Sequence, residues 1–559
     1  MPFEFTTATR ARMSERLRRL YGANFDADAF VTSLEGQIEQ RDLQSTAPSG
    51  PMWSESDTVL ITYGDQFRED GVAPLQTLSD LLAGRLSGLF SDVHLLPCFP
   101  FTSDDGFSVS DYETIDPALG DWDDIAAIRR STRVAFDLVL NHCSASHEWF
   151  GNCLAGRDPG CGYFIEVDPS VDVVGVTRPR SHPLLTKFDT VDGPKSFWTT
   201  FSTDQLDLNF ANPGVLESML GVLLTYLSHG GRIIRLDAIA YLWKTIGTRC
   251  IHLAQTHEVV KLMRDVVSEA APEALLLTET NVPHAENVSY FGSGDEAHMV
   301  YQFSLAPLLL DAYVHEDASY LNEWLATLEP PPPGCTYFNF TASHDGVGVR
   351  PLEGLVPPER IERIVESVTA AGGQVSHKRN SDGSESPYEL NITWFSALAI
   401  DDESLSVRRF LASQFLQLML AGIPGIYAHS LFGTPNWNDG VERTGRARTI
   451  NRRRLMRSEV EDWADDVKFH RGRILRGMDR LLRFRRSRPE LHPDRSQKIV
   501  DGAQGESVTV VRDGSLYASI NVRPEPVVLP SGLTLEPFGF SAYDAAGREL
   551  LGSRSLLGG

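Results

Sequence analysis

Long apolar runs, paired-cysteine motifs and an excess of positive charge are all missing from this chain of 559 residues. No stretch of about 18 apolar residues occurs, so the sequence offers no membrane-spanning helix and no membrane partner is expected. The segment Met1 to Arg19 carries arginines but no apolar core of the kind a secretory signal needs, and none is expected. The six cysteines, Cys98, Cys143, Cys153, Cys161, Cys250 and Cys335, include no Cys-x-x-Cys pair. A chain this long does not depend on disulfides, so six reduced thiols in a cytoplasmic protein are expected, although Cys153 and Cys161 lie near enough in sequence to raise a question of pairing. With 51 basic against 75 acidic side chains the formal charge is −24, which argues against nucleic acid as a partner because a phosphate backbone needs a basic face. Small molecules remain as partners, and if they are anions the net field opposes them, so their site must supply its own cations. Internal repeats and low-complexity tracts are absent apart from Pro330 to Pro333, and nothing in the sequence speaks to oligomeric state.

What is present is an alternation of strand-like and helix-like stretches, the pattern of a parallel α/β sheet. The strand candidates are 59–63, 93–97, 134–140, 231–238, 275–279, 300–303, 337–340 and 425–427, and eight of them separated by helices predict a closed (β/α)8 TIM barrel. Residues 1–54 read as an N-terminal helical segment laid on the barrel, with Asp26 or Asp28 as a cap. The barrel is expected over 55–146 and 206–489. A small irregular insert, 147–205, follows strand three, and a second insert, 350–400, follows strand seven with a helix from Pro358 and a polar loop from His377 to Ser384. A basic helix from Val467 ends at Pro489, and 490–559 show the short alternating runs of an antiparallel β domain.

Chemistry concentrates at strand ends. Gly231 to Ala238 is an apolar run ending Arg235-Leu236-Asp237, and alternation puts Arg235 and Asp237 on one side. An arginine so placed can hold the carboxylate ionised and oriented for attack, although a structural ion pair reads the same in isolation. Two further acids fall at strand ends, Glu279 in Thr278-Glu279-Thr280-Asn281 and Asp345 in Ser343-His344-Asp345-Gly346. Three carboxylates converging on one pocket are unfavourable unless the chemistry requires them. Retaining glycosyl transfer requires them: a nucleophile and an acid/base about 5 Å apart, with a third carboxylate to stabilise the oxocarbenium-like transition state.

Asp137-Leu138-Val139-Leu140-Asn141-His142, Arg235 to Ala238, Glu279, His344-Asp345 and Gln205 to Asn209 together resemble the ordered motifs of the α-amylase superfamily, glycoside hydrolase family thirteen, over about Asp57 to Glu490. That resemblance implies Asp237 as nucleophile, Glu279 as general acid/base and Asp345 as transition-state stabiliser, with His142 and His344 bonding sugar hydroxyls. Asn141 resembles a position that holds calcium in some relatives, but no supporting ligand cluster accompanies it, so no metal is expected.

Within the family, Asp104-Asp105-Gly106-Phe107, Arg178-Pro179-Arg180, Tyr388-Glu389-Leu390-Asn391 and Arg448 to Arg452 resemble segments of the sucrose phosphorylase branch. The resemblance implies that Asp104, Phe107 and Arg448 bind a single glucose unit. It assigns Arg180, Tyr241 and Tyr388 to the phosphate or acceptor side, with inorganic phosphate a substrate and no cofactor. Glu389 stands where those enzymes carry Gln, and Lys378-Arg379 form a basic stretch suited to lidding an anionic acceptor. The whole pattern is most similar to the glucosylglycerate phosphorylases, which implies phosphorolysis of glucosylglycerate. Sucrose or glucosylglycerol phosphorolysis, α-glucosidase or transglucosidase activity, and a non-catalytic sugar-binding role are the alternatives.

Overall fold

The computed structural model of the chain describes residues 2–43, 50–180, 182–379, 384–466, 468–500 and 505–557. Eight parallel strands close into a barrel: β1 (Val59–Thr62), β2 (Asp92–Leu95), β3 (Arg133–Val139), β4 (Gly231–Asp237), β5 (Leu275–Thr278), β6 (Met299–Tyr301), β7 (Thr336–Asn339) and β8 (Ile423–Tyr427). Each pairs with its sequence neighbours, and β8 returns to β1 with Gly425 opposite Val59. The strands expected from the sequence are all there, each within two residues of its expected bounds. They read as unbroken apolar runs because they are covered on both faces, by side chains inside the barrel and helices outside. In β3, for instance, Val134, Phe136, Leu138 and Val139 are all fully buried.

The route into β4 sets the site. The helix Pro213–Ser228 starts on Asn212, whose side chain accepts from the Gly214 N–H, and buries Leu216, Leu220, Leu223 and Leu224. Truncating one of these leucines to alanine would cost about 2–5 kcal/mol. A tight turn follows at Gly230, with φ 82. A Cβ on Gly231 would come within 2.9 Å of the Tyr226 carbonyl oxygen, so only glycine lets β4 leave that helix so closely. Two N-terminal helices hold this region from outside. α1 (Thr7–Tyr21) lies on the helix Ala254–Ala270 that follows β4, through Arg16 to Asp265 at 2.8 Å and Arg12 to Asp265 at 3.0 Å. α2 (Ala27–Gln40) is capped by Asp26, which accepts from Ala29 N–H at 3.0 Å. Arg41, just beyond it, donates to Thr225 at 3.1 Å.

The insert after β3 hangs from a two-stranded clasp, His142–Ser144 antiparallel to Gln205–Asp207, with His142 opposite Asp207. Between the two strands lie a short helix, Glu148–Leu154, and a hairpin, Leu185–Thr190 with Gly193–Trp198. The ring of Phe150 meets Phe164, Phe188 and Phe197 edge-on at centroid distances of 4.9, 4.9 and 5.2 Å, which is this insert's packed centre.

After β7, the expected helix is present as Pro358–Ala370. The polar loop expected from His377 is corrected: residues Gln374–Arg379 form a strand paired with Glu385–Asn391, and Asn380 to Gly383 lie outside the described residues. Val375 faces Leu390, so an apolar pair anchors a hairpin whose polar composition reads as loop. The basic helix runs from His470 to Arg486; Val467, its expected start, lies outside the described residues. Beyond it a five-stranded antiparallel sheet forms from Gln497–Val500, Ser507–Arg512, Leu516–Asn521, Phe540–Asp544 and Glu549–Gly552.

Candidate active site

Register brings the acids together. On β3 and β4, Asp137 lies opposite Arg235 and Val139 opposite Asp237. On β5, Thr278 lies opposite Leu236, and the Glu279 N–H continues the ladder to the Leu236 carbonyl at 3.2 Å. Asp237 and Glu279 therefore leave adjacent strand ends side by side, at the C-terminal mouth of the barrel.

Arg235 is the hub. Its Nη1 donates to Asp237 Oδ1 at 2.7 Å and also to Asp137, while Nη2 lies 3.9 Å from Glu279 Oε2. Asp137 is held from its other side by His94, whose Nε2 donates at 2.8 Å. Burial raises the Asp137 carboxyl, but Arg235 and His94 outweigh it and keep the group below the usual carboxylate range. One guanidinium thus serves three carboxylates, which corrects the expectation that Arg235 alone keeps Asp237 fully ionised: it decides only which member of a carboxyl pair carries the charge. Burial pushes Asp237 up to about 8 despite Arg235, with the charges of Glu279 and Asp137 adding to the rise. Glu279 is also pushed up, by burial and then by Asp345. The two carboxyls share a proton at neutral pH. The direct bond from Arg235 puts the charge on Asp237 and the proton on Glu279.

Ala238, directly after Asp237, is left-handed (φ 51, ψ 29). That turn aims its N–H at Glu279 Oε2, 3.1 Å away. Asp345 differs from its neighbours: burial raises it, yet Arg448, Arg452 and Arg235 together hold it below the ordinary range. Arg448 Nη1 lies 2.7 Å from Asp345 Oδ1. The other edge of the same guanidinium grips Glu389 with two bonds, of 2.9 and 2.6 Å.

Arg235, Asp237, Glu279, Asp345 and Arg448 line a cavity of about 90 Å3 together with Asp104, Phe107, His142, His344, Arg180, Tyr388 and Glu389. His344 stacks on Phe107 at 4.8 Å with 7° between the rings. His142 Nε2 donates to the Phe107 carbonyl at 2.9 Å, and burial keeps the imidazole neutral. Asp104 Oδ1 lies 4.0 Å from Arg448 and 3.9 Å from Arg452. Arg180 sits over the Tyr388 ring at 5.7 Å.

Not every expected residue reaches this cavity. Tyr241 is buried beside it, edge-on to Phe201 at 5.4 Å, and lines a second cavity of about 670 Å3 that Tyr388 also borders. Lys378 lines that second cavity too, paired with Glu353 at 2.7 Å, so it is not a free cation over the first cavity. The side chain of Arg379 lies outside the described residues. Glu389 faces the pocket as expected, but its carboxylate is committed to Arg448.

Sequence reasoning passed over Asp137, Asn281, Arg452 and Arg350. Asp137 and Arg452 lie inside motifs already in view, and only the barrel register shows that they touch the site residues. Asn281 lines the first cavity, with its Oδ1 buried and unbonded among the described residues. Asn141 was weighed as a calcium ligand, but the donor set does not fit a metal. The buried Lys244 ammonium lies 2.7 Å from Asn141 Oδ1 and 2.6 Å from Asp207 Oδ2, so a fixed cation already occupies that point.

Comparison with known proteins agrees with this geometry. Residues 89–328 match the α-amylase catalytic domain. The chain is 47% identical over 501 residues to a glucosylglycerate phosphorylase of Spirochaeta thermophila, covering 88% of this chain and 85% of that one. It is 48% identical over 485 residues to a glucosylglycerate phosphorylase of Allomeiothermus silvanus, covering 85% and 87%. Among solved structures, sucrose 6F-phosphate phosphorylase from Thermoanaerobacter thermosaccharolyticum superposes with a TM-score of 0.74 at 24% identity, over 91% of this chain and 99% of that one.

Proposed function

Because this chain belongs to the α-amylase family, in its sucrose phosphorylase-like branch, we propose that it catalyses the reversible phosphorolysis of 2-O-α-glucosylglycerate to α-glucose 1-phosphate and glycerate. The observation that carries the reading is the 47% identity to a glucosylglycerate phosphorylase, sustained over 88% of the chain. In this reading the glucose ring occupies the small cavity, held through Asp104, Phe107, His142, His344 and Arg448. Glu279 gives its proton to the glycerate oxygen as Asp237 attacks the anomeric carbon, breaking the glycosidic bond and forming a β-glucosyl ester. Asp345, kept ionised by Arg448, stabilises the positive charge that develops on the ring. Phosphate then attacks the ester from the side that glycerate left, with Glu279 taking back a proton, and Asp237 is released. Two inversions give retention.

Arg180 and Tyr388 support phosphate rather than water as the second acceptor, because a cation and a phenol stand together at the mouth, 5.7 Å apart, where an entering anion needs donors. The reaction needs no cofactor, and phosphate is a substrate. We assign the protein to the cytoplasm, a reading supported by six unpaired thiols and consistent with the absence, among the described residues, of any helix long and apolar enough to cross a membrane.

The test is a phosphate-dependent screen of glucosylglycerate, glucosylglycerol and sucrose, with glucose and glucose 1-phosphate measured separately. Glucose 1-phosphate from glucosylglycerate is expected. Rapid release from sucrose with none from glucosylglycerate overturns the acceptor, and free glucose as the main product overturns phosphorolysis.

A further inference from the structure

The second cavity has no place in the chemistry just described, yet it touches it. Tyr388 lines both cavities, and Tyr241 lies within electrostatic reach of Glu279 on one side and Arg350 on the other. The walls are basic. Arg249 and Arg350 both face the space, while its single acid, Glu353, is taken up by Lys378 at 2.7 Å. Arg350 is about nine-tenths buried, and its nearest acid is Glu286 at 3.5 Å, which also contacts His252 at 3.2 Å. Arg249 is exposed at the opening and has no ion-pair partner among the described residues. In a chain of charge −24, a cavity with surplus cations is where an anion is held against the overall field.

Retaining transfer adds a geometric demand. Phosphate and the sugar acceptor must each bring one oxygen to the same face of the same anomeric carbon, next to Glu279. What distinguishes the acceptor has to be recognised further out. Arg180 faces the small cavity, where phosphate must arrive, whereas Arg350 and Arg249 face the large one. We propose that this second cavity seats the carboxylate of the acceptor, with Arg350 as the primary contact and Arg249 at the opening as the second. The inference rests on the phosphorolysis reading and names the residues that would set its acceptor. A planar guanidinium held by one loose ion pair keeps donors available for a carboxylate fork.

The experiment uses the full chain with Arg350→Gln and Arg249→Gln, α-glucose 1-phosphate as donor, and D-glycerate or the uncharged glycerol as acceptor. Arg350→Gln is expected to lower the glycerate-over-glycerol ratio of kcat/KM by about 10- to 100-fold, the usual range for loss of a charged hydrogen bond. Arg249→Gln, more exposed, is expected to lower it by about threefold or more, and it decides alone if Arg350→Gln does not fold. KM for inorganic phosphate in the reverse direction is expected to stay within about twofold in both. An unchanged ratio overturns the inference, and so does a raised phosphate KM with the ratio intact, because the cavity then serves phosphate. Calorimetric titration of glycerate into the parent and the variants separates this from the function itself. If the parent binds glycerate through Arg350 but transfers no glucose to it, the cavity assignment stands and the function falls. If it transfers well and the variants keep the preference, the function stands and the cavity assignment falls. Neither binding nor transfer by the parent overturns both.

Discussion

Asp237→Asn removes a carboxyl that burial, reinforced by Glu279, pushes up to about 8 from an ordinary 3.8. Below the lower value the group is protonated in the folded and unfolded chain alike and contributes no difference. Between the two values the unfolded chain ionises both carboxyls and the folded Asp237–Glu279 pair keeps one proton, so stability falls by about 1.4 kcal/mol for each pH unit. By pH 8 the accumulated loss is about 5–6 kcal/mol, a ceiling that applies undiluted because the side chain is only 10% exposed. Asparagine carries no charge, so Glu279 no longer has to keep a proton against a neighbouring carboxylate and the loss is avoided. The asparagine side chain keeps an oxygen for Arg235 but exchanges a charge-assisted bond for a neutral one, a sacrifice of about 1–2 kcal/mol. The variant is therefore expected to be more stable than the parent by about 3 kcal/mol at pH 8 and nearly equal to it at pH 4. For so long a chain this is roughly 3 °C in Tm, with the variant-minus-parent difference growing steadily with pH. Scanning calorimetry of both proteins at pH 4, 6 and 8 reads it directly. A difference that does not change with pH, or a variant less stable at pH 8, would refute the account of the buried charge. Glucosyl transfer by the same variant is expected to drop at least about a thousandfold.

The shared proton also shapes the rate. Above about 8 the Asp237–Glu279 pair loses its last proton, so kcat/KM for glucosyl transfer is expected to fall on that side. Glu279→Gln should abolish this basic limb, and a limb that survives in the variant belongs to another group. Lys244→Met strands the buried Asp207 carboxylate, which still accepts from Thr200 N–H and Oγ1 at 2.7 Å each. The expected loss is about 3 kcal/mol, the low end for breaking a buried pair, measured by urea unfolding, and an unchanged midpoint would count against a structural cation there. Glu389→Gln loosens the fork that aims Arg448 at Asp345, so kcat/KM is expected to fall about tenfold with glycerate and glycerol alike. A loss confined to glycerate would move Glu389 to the acceptor side.

The barrel was readable because strands covered on both faces have to be apolar throughout, and few other arrangements produce eight such runs between helices. The acids were readable for a related reason, since a carboxylate that ends an apolar strand has one direction in which to point. What could not be read was pairing across strands. Asp137 lies about 100 residues from Arg235, and only the β3–β4 register makes it a competitor for the same guanidinium. Burial first, and then the charges of Glu279 and Asp137, leave Asp237 less firmly ionised than its local sequence suggests. The hairpin Gln374–Asn391 was hidden for the opposite reason: its polar sequence reads as loop, and one apolar pair, Val375 with Leu390, is too short a signal. Lys378 looked like a free cation because Glu353, its partner, is 25 residues away across an intervening helix. Arg350 follows Asp345 by only five residues, but nothing local says that it faces a different cavity.

Ala238 ties the Asp237 and Glu279 carboxyls through the main chain, since the residue that follows Asp237 offers its amide to Glu279. The spacing between them is in that sense a property of the backbone, indifferent to which side chains decorate the rim. Loops around the mouth can lengthen, change charge or open a new recess without disturbing the distance over which glucose is handed across. A scaffold built this way can take up one acceptor after another while its transfer step is inherited unaltered.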